Sequence, residues 1–287
     1  MMWVRIGHMM RWAYPLVATC SVAVAARAGQ PAPPPSDSEC RPLPPARMPL
    51  SFAAGEVLEF QLDAMGIARA GSVTMQVLPP RDGKLPIQLK AHTNTLFSKV
   101  RRMKGLATSY LDAVTLHPVR YVEEGTENEV RKTTSVSFRP KQRRVEVDYK
   151  IGDSTGQSEF QSAHDALDVA ATVYLMRQLP LEKGSELCFD IYGIRRLWRM
   201  SGKVEGREHV SLAIGDFEAW HLAGTAVRLD DFRHRREVHL WISDDRRRLP
   251  LAMVGAIEVG AVRAQLTGVS RPGEKALRVE GRETLKW

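Results

Sequence analysis

The sequence predicts a mainly β protein in which a single curved antiparallel sheet, or half-barrel, wraps one α-helix. Two observations carry that prediction: repeated period-two alternation over most of the chain, and one uninterrupted apolar segment of helical length. Hydrophobic residues make up 44% and charged residues 26% of the 287, enough to build a buried core.

The chain opens on the pattern of a secretory leader. Arg5 and Arg11 supply a basic start, Trp12 to Ala26 form a short apolar stretch, and Ala26-Arg27-Ala28 is a small-x-small cleavage site before Gly29. Residues 1–28 are read as this leader, which places the protein outside the bacterial cytoplasm, in the periplasm or at the outer membrane. A lipoprotein leader would put Cys20 at the new N-terminus, but Thr19 stands where Gly, Ala or Ser is preferred, so lipidation is not expected. The formal net charge is +8, and the leader takes three arginines with it and no acid, leaving a mildly basic mature chain. No run reaches the roughly 18 apolar residues of a membrane span.

Residues 29–51 are rich in proline and read as an extended spacer. The folded domain is expected over 52–271, with a tail over 272–287. In it Leu58, Phe60 and Leu62 alternate with polar residues, as do Val73, Met75 and Val77, then Ile87 and Leu89, then Val145, Val147 and Tyr149. Val238, Leu240 and Ile242, then Val262, Ala264 and Leu266, repeat the pattern. Turn-forming pairs lie between: Met65-Gly66, Asp82-Gly83, Gly152-Asp153, Asp230-Asp231 and Asp244-Asp245. The helix is predicted over Asp165–Gln178, with Asp165 as N-cap and Leu179-Pro180 as its stop. Val169, Val173 and Met176 share a face, but Leu167, Tyr174 and Leu175 carry the apolar surface round the cylinder, so the helix needs cover on most sides.

With the leader removed, only Cys40 and Cys188 remain, and in an oxidising compartment such a pair is a disulfide candidate. The alternative is two free thiols, one in the spacer and one in a buried strand.

Four stretches resemble the DUF3108 family, exported bacterial proteins without an assigned activity. They are Gly55–Phe60 with Ala70-Gly71, Asp112–Tyr121, Asp165–Gly184 and Leu240–Leu251, which together extend from about Ala53 to Ser270. The β architecture also resembles, at the level of fold alone, the open half-barrels of periplasmic lipoprotein carriers, whose concave face holds acyl chains. That likeness implies a cavity between sheet and helix lined by Leu58, Phe60, Val73, Met75, Val145, Val147, Val169, Val173 and Met176.

Catalytic chemistry is not expected. The histidines at 209, 221, 234 and 239 show no zinc-ligand spacing, and the odd separation of His234 and His239 points them to opposite faces of a strand. No G-x-S-x-G elbow, phosphate loop or spaced carboxylate pair is present, and no cofactor or metal is implied. Basic clusters at 99–104, 141–144, 195–199, 233–236 and 246–248 suit anionic lipid headgroups better than nucleic acid in an exported protein. Arg101, Arg102, Arg235 and Arg236 are the candidate contacts; the bland reading is solvation and protection of strand edges. The leading functional expectation is a non-enzymatic envelope protein binding a lipid-like ligand, and the alternative is an interaction module with no small ligand. An enzyme acting on an envelope glycan or lipid ranks third.

Overall fold

The computed structural model describes residues 33–36, 38–64, 67–162, 165–193, 195–257 and 260–279. The leader with Cys20, the Met65-Gly66 turn and residues 280–287 lie outside this set. Among the described residues no helix is long and apolar enough to cross a membrane.

Strands β1 (Val57–Ala64), β2 (Ile67–Val77), β3 (Lys84–Thr93), β4 (Met103–Asp112), β5 (Pro118–Glu127), β6 (Val130–Arg139), β7 (Arg144–Ile151) and β8 (Ser154–Gln161) follow one another as antiparallel neighbours. After β9 (Ala166–Asp168) and the helix α1 (Val169–Met176) come β10 (Glu186–Gly193), β11 (Arg196–Leu212), β12 (Gly215–Arg228), β13 (Arg235–Ser243), β14 (Pro250–Ile257) and β15 (Gly260–Ser270). β1 pairs with β15, which joins the two runs into one open curved sheet running from β8 to β9. A short β16 (Leu277–Arg278) adds to β15, so part of the predicted tail belongs to the sheet.

The alternation seen in the sequence becomes the inner face. Leu58 lies opposite Met75 and Phe60 opposite Val73, and Met75 in turn faces Leu89. Leu58, Phe60 and Met75 are buried in the main core with Leu222, Ile242, Leu251 and Leu266 from the second run of strands.

The sheet is rolled so that its ends overlap. β8 and β9 are consecutive in the chain yet occupy opposite ends of the strand order. Leu187, Phe189 and Ile191 of β10 point into the main core, whereas Tyr192, on the opposite face, packs with Leu197 against Val136, Phe138, Val145 and Val147 of β6 and β7. Apolar side chains therefore join the two ends where no hydrogen-bond ladder does, and β10 is covered on both faces. Facing glycines accompany the tight curvature. A Cβ on Gly202 would stand 2.2 Å from the Ala223 carbonyl oxygen, and one on Gly125 would stand 2.5 Å from that of Lys104.

The helix is shorter than predicted. Its N-cap is Asp168, whose carboxylate accepts from the Ala171 N–H at 2.9 Å, and not Asp165. Residues 166–168 instead form β9, which lies parallel to β10 and is an exception to the antiparallel rule. The physical reason is competition for Asp165, whose carboxylate is taken by the Leu43 N–H at 2.8 Å and by His117 at 2.5 Å. Within α1, Ala170, Ala171, Val173, Tyr174, Leu175 and Met176 are all buried, as its all-round apolar surface requires.

The later part of the proline-rich segment does not extend away as a spacer. Its backbone is tied to the domain at Leu43, by Arg47 N–H to the Gln178 carbonyl at 2.8 Å, and by Ser51 N–H to the Gln178 side chain at 3.2 Å. The Pro35 carbonyl accepts from Arg199 at 2.8 Å, and Cys40 is buried. Proline removes backbone donors, so the segment forms no strand of its own and is held as a strap by side chains of the domain and by the Gln178 carbonyl.

Candidate functional site

The four stretches that carried the family resemblance converge on two polar clusters. In the first, Arg177 at the helix C-cap makes a two-pronged bond to Glu56, at 2.7 and 3.0 Å, with both side chains fully buried. Arg271 reaches the same carboxylate at 2.7 Å. Arg177 also donates to the Arg248 carbonyl at 2.8 Å, and Arg248 returns a bond to the Arg177 carbonyl at 3.1 Å. The guanidinium stands 4.9 Å from the ring centres of both Phe52 and Tyr174, which meet each other edge to face. The second cluster joins Asp165 to His117 and the strap. Burial alone would lower the His117 pKa, but its bond to Asp165 and that carboxylate's charge outweigh burial and raise it.

A third buried acid, Asp168, accepts from the Ser109 hydroxyl at 2.5 Å. Burial pushes its pKa up to about 6, against the bonds from Ser109 and the helix N-terminus, which pull it down. Each of these three acids is engaged in holding one element to another, and none faces a nucleophile or a paired acid across an open cleft. The arrangement cross-ties strap, helix and sheet.

Of the predicted cavity-lining residues, Leu58, Phe60, Met75, Val173 and Met176 are in the main core, and Val73 is partly buried against it. Val145 and Val147 belong to the separate cluster between the sheet ends. Val169 is 46% exposed, at the first position of the helix next to the Asp168 cap. The structure therefore divides the nine residues among two clusters and the surface.

Cys40 and Cys188 form a disulfide, with Cα atoms 5.1 Å apart. The two aspartate pairs are turns, as their composition suggested. Asp231 accepts from the Arg233 N–H at 3.2 Å, and Asp245 from the N–H groups of Arg247 and Arg248 at 2.9 and 3.1 Å.

The four histidines are exposed or half-buried. His221 and His239, on neighbouring strands, stand 2.9 Å apart and stack with Trp241. Cross-strand register makes this pair, and register could not be read from the sequence. Among the described residues no group of three or more His, Cys, Asp or Glu is placed to hold a metal.

Arg101 bonds Glu127 at 2.5 Å, and Arg102 reaches Glu129 at 3.4 Å. Arg236 donates to the Arg235 carbonyl at 3.0 Å. These two pairs lie at the same end of the sheet, but β3, β2, β1, β15 and β14 separate their strands, so they do not form one patch.

Open grooves lie on the surface. One of about 520 Å³ is bounded by Lys90, Lys104, Leu106, Gly125 and Arg131. Another, of about 730 Å³, lies beside the disulfide and is bounded by Glu39, Glu186, Lys203 and Glu237. Residues of α1 line neither.

Among solved structures the chain is similar to a β-barrel-like protein of the domain of unknown function DUF1849 from Brucella abortus. The match has 9% identity and a TM-score of 0.51 and covers 77% of this chain and 98% of that one. A protein with a YmcC-like fold from Bacteroides fragilis matches at 5% identity and a TM-score of 0.32, over 77% of this chain and 97% of that one. The first likeness is one of fold. No curated protein matches the sequence. The family model for proteins of unknown function DUF3108 matches residues 59–267, which contain both runs of strands and the helix. With most of its length matched, including both runs of strands and the helix they enclose, the chain belongs to the DUF3108 family.

Proposed function

We propose that the protein is an exported, non-enzymatic module of the cell envelope that works by binding through its outer surface, with its interior given over to structure. The observation that carries this reading is the packing of α1: Ala170, Ala171 and Tyr174 have no exposed surface, and the rest of the helix beyond its first turn is nearly as well covered. A carrier of lipid needs an apolar space of some 300 Å³ or more around such a helix. Small residues at 170 and 171 instead let the helix approach the sheet closely. Export is supported by the leader pattern and by a disulfide, which persists in oxidising compartments.

The competing reading is a lipid-like ligand held between sheet and helix, and one experiment separates the two. A naphthalene sulfonate dye is titrated into folded protein, and native mass spectrometry looks for co-purified lipid. The packed interior predicts no dye binding, no lipid, and a loss of about 1–3 kcal/mol in stability for Val173→Ala. Dye binding that fatty acid displaces and that Val173→Trp abolishes in a folded variant would establish the carrier instead.

A further inference from the structure

Exposed apolar side chains are unevenly distributed over the sheet. Of the eight large hydrophobic residues exposed among those described, Met48 is in the strap and Val114 is in the β4–β5 turn. The other six, Leu96, Val100, Met103, Val130, Val169 and Phe232, all belong to one end of the sheet. The ladders place the β3–β4, β5–β6, β10–β11 and β12–β13 connections at that end, and Val169 lies beside Gly193, the last residue of β10. Scattered exposed leucines and valines need no explanation, but six at one end do.

Four of the six form a single projection. The β3–β4 connection is anchored by Phe97, which is buried with Ala64 and Ala70, and by the Phe97 N–H bonded to the Asn94 side chain at 2.7 Å. Burying Phe97 turns its neighbours Leu96 and Val100 outward, where they are 62% and 64% exposed. Two bonds of 2.9 Å lock this connection to the β5–β6 hairpin: Arg102 N–H to the Asn128 side chain, and Asn128 N–H to the Arg102 carbonyl. The hairpin sets Val130 opposite Glu127, which in turn lies opposite Met103, so the three share one row at the end of the sheet. The projection is therefore preformed, with aliphatic side chains held at its tip.

The tip is surrounded by basic residues. Lys99, Arg101, Arg102, Lys104, Arg131 and Lys132 lie on or next to the two connections, against three carboxylates, Glu124, Glu127 and Glu129. Arg101 and Lys132 share Glu127, while the Arg102–Glu129 and Arg131–Glu124 contacts are solvent-exposed and long, at 3.4 and 3.8 Å. Exposed pairs of this kind hold their partners weakly, so those arginines can exchange one anion for another. The 520 Å³ groove opens beside the tip with Lys104 and Arg131 on its walls.

We infer that this projection docks the protein onto an anionic lipid surface, with Leu96 and Val100 entering the headgroup region and Lys99, Arg102, Lys104 and Arg131 meeting lipid phosphates. An aliphatic tip within a basic collar matches the order of a leaflet, where hydrocarbon lies beneath a layer of negative charge. Nucleic acid would be served by aromatic stacking side chains, which the tip lacks. The inference sharpens the envelope-module reading by naming the partner, and it does not depend on whether the interior is filled.

The test is flotation of the leader-free chain, Gly29–Trp287, with vesicles of phosphatidylcholine alone or with about one-third phosphatidylglycerol. Binding is expected to the anionic vesicles alone, to fall with added salt, and to withstand free glycerol phosphate. The pairs Leu96→Ser/Val100→Ser and Lys99→Glu/Arg102→Glu should each weaken it at least tenfold with thermal midpoints unchanged. Val114→Ser/Arg246→Glu, at the opposite end of the sheet, should leave it intact. Failure to float with anionic vesicles, or equal binding by the tip variants, overturns the inference and turns the projection into a candidate protein-docking surface. Competition by glycerol phosphate also overturns it, in favour of a soluble phosphate site.

Discussion

Asp168 shows how a single buried acid can shape the behaviour of the whole fold. Its carboxylate both caps α1 and accepts from Ser109, yet burial raises its pKa from 3.8 to about 6. The folded state thus takes up a proton more readily than the unfolded chain. The cost of burying the charged form, on the order of 2–3 kcal/mol, is present above pH 6 and disappears as the pH falls toward 4. His117 acts in the same direction, since its raised pKa gives stability that is complete below 6.5 and lost as pH rises through the folded value. Stability should therefore peak on the acid side of neutral. Denaturant titrations from pH 4 to 8 should show it, and Asp168→Asn should flatten the profile between pH 4 and 6. Glu56 is a harsher case. Glu56→Gln leaves Arg177 buried without its carboxylate, and urea unfolding should register a loss of about 3–5 kcal/mol. Neither role was legible in the sequence. Arg177 reads there as a charge near a helix end, and only the fold reveals that Phe52, Arg248 and Glu56 enclose it.

At the scale of elements the sequence was a good guide to strands and a partial one to the helix. β1, β2, β3, β7, β13 and β15 alternate visibly because one face meets the core and the other meets water. β10 does not alternate, since Asp190 and Tyr192 are buried on one face while Leu187 and Phe189 are buried on the other. β11 is masked by a polar half, Lys203 to His209, and by a register shift near Gly206. The predicted helix began one turn early because Asp165 and Asp168 are both acceptable caps, and the choice depends on Leu43 and His117, more than 40 residues away in sequence. The strap was read as free because its proline content describes what it cannot form and is silent on what holds it. Its bridge closes a separation of 148 residues. Cys188→Ser should lower stability by up to about 5 kcal/mol in the loop-entropy model. Limited proteolysis of that variant should cut first between Pro33 and Ser51; equal resistance to protease would show that the hydrogen bonds alone hold the strap.

Over the whole molecule the rolled sheet sorts its strands by how readily each can open. Among the described residues β8 pairs only with β7 and is polar apart from Phe160, whereas β10 is enclosed between the main core and the cluster that joins the sheet ends. Hydrogen exchange should therefore be fastest in β8 and slowest in β10 and β1. Uniform exchange across the sheet would mean that the overlap of its ends adds no local protection. The curved sheet and its enclosed helix were legible from periodicity, but the overlap was not, because it depends on β10 having two buried faces.

The bridge between the strap and β10 also determines how the molecule bears mechanical load. If the segment before Pro33 is held elsewhere, tension along it passes through Cys40 to Cys188, on a strand clamped from both sides. That load is borne by the β10–β11 ladder together with the two apolar clusters that pack on opposite faces of β10. A pull on β8 would meet the ladder to β7 and a largely polar strand.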